Sequence, residues 1–214
     1  LWLLAIALPG IALLDRLAPG LTRLERWAHG SVLGIVLGTI ALVPAAILVG
    51  FTPALVVGDG FVAVAAAILL WTLRRRRSGD ERGRLATLRG WGVDRWAVLV
   101  VGLLGVRFAT LWADALTLRP DGLWAGHEYL WSDWPTHLGI VSSFASGDNF
   151  PPEHTLFAGL PLAYHYLSDL TPAAFVLLGL TPIEALPLHS FLLSVVVSMS
   201  VWAFARRLGG RSSV

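Results

Sequence analysis

Residues 31–50 read SVLGIVLGTIALVPAAILVG, twenty residues in a row without a charged side chain. A helix needs about 20 mostly apolar residues to cross the hydrocarbon core of a bilayer. Comparable stretches follow at residues 54–73, 96–116 and 185–205, and residues 1–14 form a shorter apolar run. The sequence therefore predicts an all-α, polytopic transmembrane protein.

The composition of the chain agrees with this class. Only 14% of its 214 residues are charged and 56% are hydrophobic, whereas soluble domains carry about 25% charged residues. All 16 basic residues are Arg and the net charge is +2, which excludes a nucleic-acid partner held by bulk charge. The absence of Cys excludes disulfides, thiol catalysis and Cys-ligated zinc. Membrane lipid is the partner that the apolar stretches imply.

The apolar run at residues 1–14 starts directly at Leu1, and no small-residue cleavage site follows it. This pattern is typical of the end of a membrane helix rather than of a signal peptide. We therefore expect the chain to be the N-terminal fragment of a longer membrane protein.

The distribution of Arg predicts the orientation in the membrane. Residues 73–95 hold eight Arg and three acidic residues, and short Arg-rich loops stay in the cytoplasm. Counting spans outward from this segment places residues 117–161 in an exoplasmic loop. That loop also holds five of the 14 acidic residues and three of the six His. We therefore predict a cell-membrane protein whose active site faces outside.

The same count raises a question about residues 162–180. Arg206 should be cytoplasmic, so the stretch 185–205 must run from the outside to the inside. Residues 162–180 then cannot cross the membrane and are predicted to form a re-entrant or interfacial helix on the outer side. The alternative is a true span that puts Arg206 outside. The predicted organisation is a helical region at 1–116, an outer loop at 117–161 and a membrane region at 162–214.

The outer loop contains the start of a predicted interfacial helix at Asp133. Asp is a good N-cap, and the Pro135 ring is tolerated in a first turn. Four residues then form one apolar stripe, typical of a helix that lies in the membrane interface: Trp134, Leu138, Val141 and Ala145.

Two Asp/His pairs have helical i, i+4 spacing: Asp133 with His137, and His165 with Asp169. Asp133 is either a helix cap or a carboxylate that accepts a proton or binds a metal ion. His137 is either an interfacial side chain or a ligand. A metal site needs three or more converging N or O ligands, and spacing alone leaves that convergence open.

Arg107 lies near the middle of the apolar stretch 96–116. A charge at that depth costs about 2.5–3.5 kcal/mol on insertion scales. Arg107 either reaches another helix or faces an anionic substrate. In a transporter, Arg107 and Asp114 would line a pathway.

Four motifs follow one another from residue 131 to residue 210: WSDWPTH at 131–137, GDNFPPEH at 147–154, FAGLPLAYHY at 157–166 and ARRLGG at 205–210. Their order resembles the integral-membrane glycosyltransferases of the GT-C superfamily, in particular its protein-mannosyltransferase-like branch and the DUF2298-type membrane proteins. The resemblance covers somewhat more than a third of the chain. Several spans precede the first motif, whereas mannosyltransferase-like members usually have one.

The resemblance implies an enzyme that transfers a sugar from a polyprenyl-phosphate-linked donor on the exoplasmic face. Asp133 matches the acidic residue that such enzymes carry in their first outer loop, and it would accept the proton of the acceptor hydroxyl. A divalent metal ion is the one cofactor that the resemblance allows. The alternatives are a multi-pass transporter and a non-catalytic membrane scaffold. The expected substrate-binding residues are Arg107, His137, Glu153, His154, Tyr164, His165 and Asp169.

Single engineered thiols can test the orientation, because the chain has no Cys. Ser146→Cys is expected to react with a membrane-impermeant maleimide in intact cells. Ser78→Cys is expected to react only after permeabilisation. The reverse labelling pattern would overturn the predicted orientation.

Overall fold

The computed structural model describes residues 1–77, 95–126 and 132–209. Within these residues the chain forms seven helices and four short strands. In chain order they are α1 (Trp2–Leu17), α2 (Arg23–Val49), α3 (Pro53–Arg77), α4 (Arg95–Ala113), β1 (Leu116–Arg119), β2 (Gly122–Ala125), α5 (Trp134–Ser146), β3 (Glu153–His154), β4 (Phe157–Pro161), α6 (Leu167–Leu177) and α7 (Pro182–Leu208). Most of the Arg-rich segment 73–95, and Trp131 of the first motif, lie outside the described residues.

Helices α2, α3, α4 and α7 are each long and apolar enough to cross a membrane. Each contains most of one predicted apolar stretch, so the prediction of an all-α, multi-pass membrane protein is confirmed. Helix α1 covers the shorter run at residues 1–14 and extends to Leu17. Large apolar side chains exposed on the long helices, such as Phe61, Leu103 and Val201, form the surface that contacts lipid.

Two of the long helices begin with reciprocal caps. At the start of α2, the Thr22 N–H donates to Glu25 Oε2 over 2.7 Å and the Glu25 N–H donates to Thr22 Oγ1 over 3.3 Å. Thr181 and Glu184 repeat this arrangement at α7, at 2.8 and 3.3 Å. Each capping box satisfies two backbone donors that the first turn leaves free. These caps explain why both helices start before their predicted apolar stretches.

The chain divides into two compact units. The first comprises Leu1–Gly38, Gly60–Val106 and Ser194–Val214. In it, α1 and α2 approach closely through glycines. A Cβ added to Gly10 would lie 2.2 Å from the Gly30 carbonyl oxygen, and one added to Gly34 would lie 2.4 Å from the Ala7 carbonyl oxygen. Small residues allow such close backbone contact between membrane helices, where dispersion contacts drive association.

Ion pairs join helix ends in the first unit. Arg26 pairs with Asp15, and Arg207 Nη1 lies 3.1 Å from Glu25 Oε1. Both carboxylates are buried. The Arg207 contact brings the C-terminal end of α7 to the N-terminal end of α2. The sequence predicts that both ends are cytoplasmic.

The second unit comprises Thr39–Asp59 and Arg107–Leu193. Its core forms where α5 packs against α6. The predicted apolar stripe of α5 is only partly correct: Trp134 and Val141 are buried, but Leu138 and Ala145 are half-buried. Ile140 and Phe144 complete the buried face of α5 instead. The face is displaced because α5 is buried against neighbouring protein, including α6, rather than lying free in the interface.

Helix α6 has 11 residues. At a rise of 1.5 Å per residue it is about 16 Å long, roughly half of the hydrocarbon core. A simple span over residues 162–180 is therefore wrong, and all of α6 belongs to the second unit. Its length is consistent with the predicted re-entrant or interfacial helix.

The second unit also holds two antiparallel hairpins that the sequence did not predict. In β1–β2, Leu116 pairs with Ala125, and in β3–β4, Glu153 pairs with Pro161. Strands of two to five residues are too short to show a clear apolar periodicity. Because Leu116 is buried in the first hairpin, α4 ends at Ala113 rather than at the predicted residue 116.

We expect an added methyl group to destabilise the protein at Gly34, in the α1–α2 contact, but not at Gly102. Gly34→Ala is expected to lower the free energy of unfolding by about 1–3 kcal/mol, because the new Cβ overlaps the α1 backbone. In Gly102→Ala the new Cβ meets no atom within 4 Å, and Ala is the better helix former. Thermal unfolding in detergent measures both variants, and equal effects would contradict the close α1–α2 packing.

Candidate functional site

The candidate site of the second unit centres on a hydrogen bond between α5 and α6. His137 Nδ1 donates to Asp169 Oδ1 over 2.8 Å, across 32 positions of the sequence. The sequence suggested both residues, but each with a different partner four residues away. The packing of α5 against α6 joins one member of each predicted pair instead.

This pair is asymmetric in its exposure. The Asp169 side chain is 2% exposed, whereas 23% of the His137 side chain remains accessible. The hydrogen bond to Asp169 raises the pKa of His137 from its ordinary value of 6.5, although burial opposes the shift. The Asp169 and Asp133 charges also favour the imidazolium. His137 is thus an accessible, positively polarised group held in place by a buried carboxylate.

Asp133 stands at the N-cap position of α5, but its side chain makes no capping hydrogen bond. Its carbonyl oxygen accepts the backbone N–H of His137 over 3.1 Å. The carboxylate is exposed, and it makes no hydrogen bond to any described residue. The interpretation as a side-chain cap is therefore wrong. The carboxylate remains available one helical turn before His137.

Tyr164 and His165 lie beside this pair, just before α6 begins. The Tyr164 ring meets the His137 ring edge-on at 5.7 Å, and it stacks on His165 at 4.1 Å. The predicted pairing of His165 with Asp169 is wrong, because α6 starts at Leu167 and the helical i, i+4 rule does not reach back to His165. His165 is exposed.

The sequence missed His189, which α7 brings to the same site. His189 is 6% exposed, and it lies within electrostatic range of His137. Its Nδ1 is buried and has no hydrogen-bond partner among the described residues. The signal that could have identified it is a lone titratable residue within an apolar span, which is a functional candidate by default.

Glu153 and His154 hold the β3–β4 hairpin. Glu153 Oε2 accepts the Gly159 N–H over 2.9 Å, and His154 Nδ1 accepts the Leu156 N–H over 3.1 Å. No hydrogen bond joins either side chain to His137 in the part of the chain that the structure describes. A structural role accounts for both residues.

Arg107 and Asp114 are both exposed, and no hydrogen bond or ion pair joins their side chains. Asp114 instead lines a shallow pocket on the β1–β2 hairpin together with Arg119 and Trp124. The Arg119 guanidinium lies 4.3 Å over the Trp124 ring. Among the described residues, no hydrogen bond or ion pair joins Arg107 to the His137–Asp169 pair either.

The structure identifies no metal-binding residues in the ranges it describes. No three His, Asp or Glu side chains there are close enough to hold a metal ion. The divalent metal that the GT-C resemblance allows therefore has no assigned ligands among the described residues.

A comparison of the chain with protein-family models, curated proteins and solved structures gives no match. The GT-C resemblance therefore stays a prediction from the motifs. Function has to be inferred from the side chains that the second unit brings together.

Removing the Asp169 charge should change the titration of His137. In Asp169→Asn the neutral amide no longer favours the imidazolium, so the pKa of His137 is expected to fall. A raised folded-state pKa stabilises the protein below about pH 6.5, and that contribution is lost as the pH rises through the raised value. The variant should lack this pH-dependent loss of stability.

NMR titration of the His137 ring and unfolding at several pH values measure the two effects. Asp148→Asn is the matched control, since it removes an exposed carboxylate of the same unit. A His137 pKa that is the same in wild type and Asp169→Asn would refute the assigned cause of the shift.

Proposed function

We propose that this chain forms part of a membrane glycosyltransferase that transfers a sugar from a polyprenyl-phosphate-linked donor to an acceptor hydroxyl. One observation supports this most directly. The free carboxylate of Asp133 stands one helical turn before the His137 imidazole, which Asp169 holds at 2.8 Å. This arrangement places a proton acceptor and a cationic group side by side.

The transfer needs both groups. As the acceptor oxygen forms its bond to the anomeric carbon, the acceptor proton moves to the Asp133 carboxylate. The bond from that carbon to the phosphate oxygen breaks, and its electron pair stays on the lipid phosphate. General-base catalysis of this kind contributes about 10²–10⁴-fold to a rate.

His137 supplies the charge that the leaving phosphate requires. Residues four apart on a helix have Cβ atoms about 5–6 Å apart, which leaves room for an anomeric carbon between the two side chains. Asp169 fixes the ring through Nδ1, so Nε2 is the nitrogen available to the phosphate. A fixed donor facing a developing negative charge stabilises the transition state.

The distribution of Arg supports an exoplasmic active site. It predicts that residues 117–161, which include Asp133 and His137, lie outside. An exoplasmic site is where a polyprenyl-phosphate-linked donor would be used.

A multi-pass transporter is the second candidate. The observation that favours it is His189, a buried titratable residue within the apolar helix α7. No hydrogen bond or ion pair joins Arg107 and Asp114, the two described residues first considered for a pathway. We prefer the enzyme because it gives the exposed Asp133 a role, that of the proton acceptor.

Replacing Asp133 tests the proposal. In the full-length protein reconstituted in liposomes, Asp133→Asn is expected to reduce sugar transfer from a radiolabelled polyprenyl-phosphate-linked hexose by at least about 100-fold. The amide keeps the size of the side chain but cannot accept the proton.

Asp148→Asn is again the matched control and should transfer at the wild-type rate. Insertion of each variant is checked by thiol labelling of an added Ser146→Cys. Unchanged transfer by correctly inserted Asp133→Asn would rule out Asp133 as the proton acceptor.

A further inference from the structure

Three buried polar atoms of the second unit have no hydrogen-bond partner among the described residues: Trp134 Nε1, Asp169 Oδ2 and His189 Nδ1. They come from three different helices, α5, α6 and α7. A buried donor or acceptor that lacks a partner destabilises a fold, so native proteins keep few of them. Three such atoms in one unit therefore call for an explanation.

Trp134 and Asp169 adjoin His137, and His189 is near enough for the two His charges to interact. Trp134 precedes it by one turn on the buried face of α5. Asp169 bonds it through Oδ1, which places the free Oδ2 next to the ring. His189 lies within electrostatic range of it. Two of the unpartnered atoms thus adjoin the proposed cationic group, and the third lies within range of its charge.

The chemistry of these atoms selects the kind of ligand. The Trp134 N–H can only donate, the Asp169 oxygen can only accept, and the His189 nitrogen can do either according to its tautomer. A cation would be repelled by the Trp134 N–H and by the His137 charge. An anion would be repelled by the buried Asp169. A neutral hydroxyl group both donates and accepts, and so satisfies the whole set.

Aromatic rings add a second feature of carbohydrate sites. The Trp112 and Trp134 rings meet edge-on at 6.3 Å, and Tyr164 meets His137 at 5.7 Å. Rings of this kind provide apolar surface beside polar groups, which suits the C–H faces of a sugar ring. A ligand with several hydroxyl groups on an apolar ring fits these surroundings.

We propose that Trp134, Asp169 and His189 form a subsite that binds the hydroxyl groups of a sugar. The assignment of that sugar as a substrate rests on the proposed function, whereas its binding does not. The sugar belongs either to the acceptor or to the lipid-linked donor, which present the same hydroxyl chemistry.

Binding is measured on the full-length protein in lipid nanodiscs, labelled with 5-fluorotryptophan. Methyl glycosides of hexoses, N-acetylhexosamines and pentoses are titrated at millimolar concentration and followed by fluorine NMR. Trp134→Phe assigns the Trp134 resonance. At least one glycoside is expected to bind saturably and to shift that resonance. Phosphate alone should leave it unchanged.

His189 variants identify the contacting atom. His189→Leu is expected to weaken glycoside binding about tenfold, the loss typical of one hydrogen bond to a neutral group. His189→Asn, whose amide occupies the position of Nδ1, should restore most of the affinity. His189→Gln, whose amide lies near Nε2, should not. The Asn and Gln variants keep the test valid if His189→Leu fails to fold.

Ser200→Ala is the matched control, because Ser200 Oγ is also buried and unpartnered among the described residues of α7 but belongs to the first unit. It should bind glycoside as wild type does. Competition by a polyprenyl-phosphate-linked hexose would assign the subsite to the donor. Lack of competition would assign it to the acceptor.

The subsite would be overturned if no glycoside binds, if phosphate shifts the Trp134 resonance instead, or if His189→Leu and Ser200→Ala behave alike. These outcomes are separate from a failure of the proposed function. Glycoside binding without sugar transfer would leave the subsite standing and remove the transferase. Sugar transfer without glycoside binding would leave the transferase standing and remove the subsite.

Discussion

The hydrogen bond from His137 to Asp169 is the interaction on which the candidate site depends. Asp169 is almost completely buried, and a buried carboxylate without a partner is strongly unfavourable. The imidazole removes that penalty and in return is held in one orientation. The same bond ties α5 to α6, so it orders the two helices and defines the site. The other candidate residues are assigned to the site by their position relative to this pair: Asp133, Tyr164 and His189.

A different constraint organises the first unit. Lipid offers no hydrophobic force between helices, so α1 and α2 associate through close backbone contact at Gly10 and Gly34. Polar groups are confined to helix ends, where the Arg207–Glu25 and Arg26–Asp15 pairs neutralise buried carboxylates. The two units thus use polar side chains differently. The first uses them to join helix ends, whereas the second gathers them around His137.

The candidate site was only partly predictable from the sequence. His137 and Asp169 were both identified as candidates, because each belongs to an Asp/His pair with helical i, i+4 spacing. The hydrogen bond between them was not predicted, since helical spacing describes neighbours within one helix and cannot show which helices touch. His189 was missed because a single polar residue barely changes the mean hydropathy of a 20-residue window. Glu153 and His154 were taken for substrate-binding residues, and the hairpin bonds that occupy them depend on a turn that the sequence did not reveal.

The sequence by itself determined the membrane class and the four long helices, because an apolar run of about 20 residues forms a helix long enough to cross the bilayer. Only the tertiary structure decided which face of α5 is buried, that residues 162–180 do not span, and that His137 meets Asp169 beside His189. These features arise from contacts between separate segments, such as the hydrogen bond between His137 and Asp169 across 32 positions of the sequence, and no local pattern specifies them.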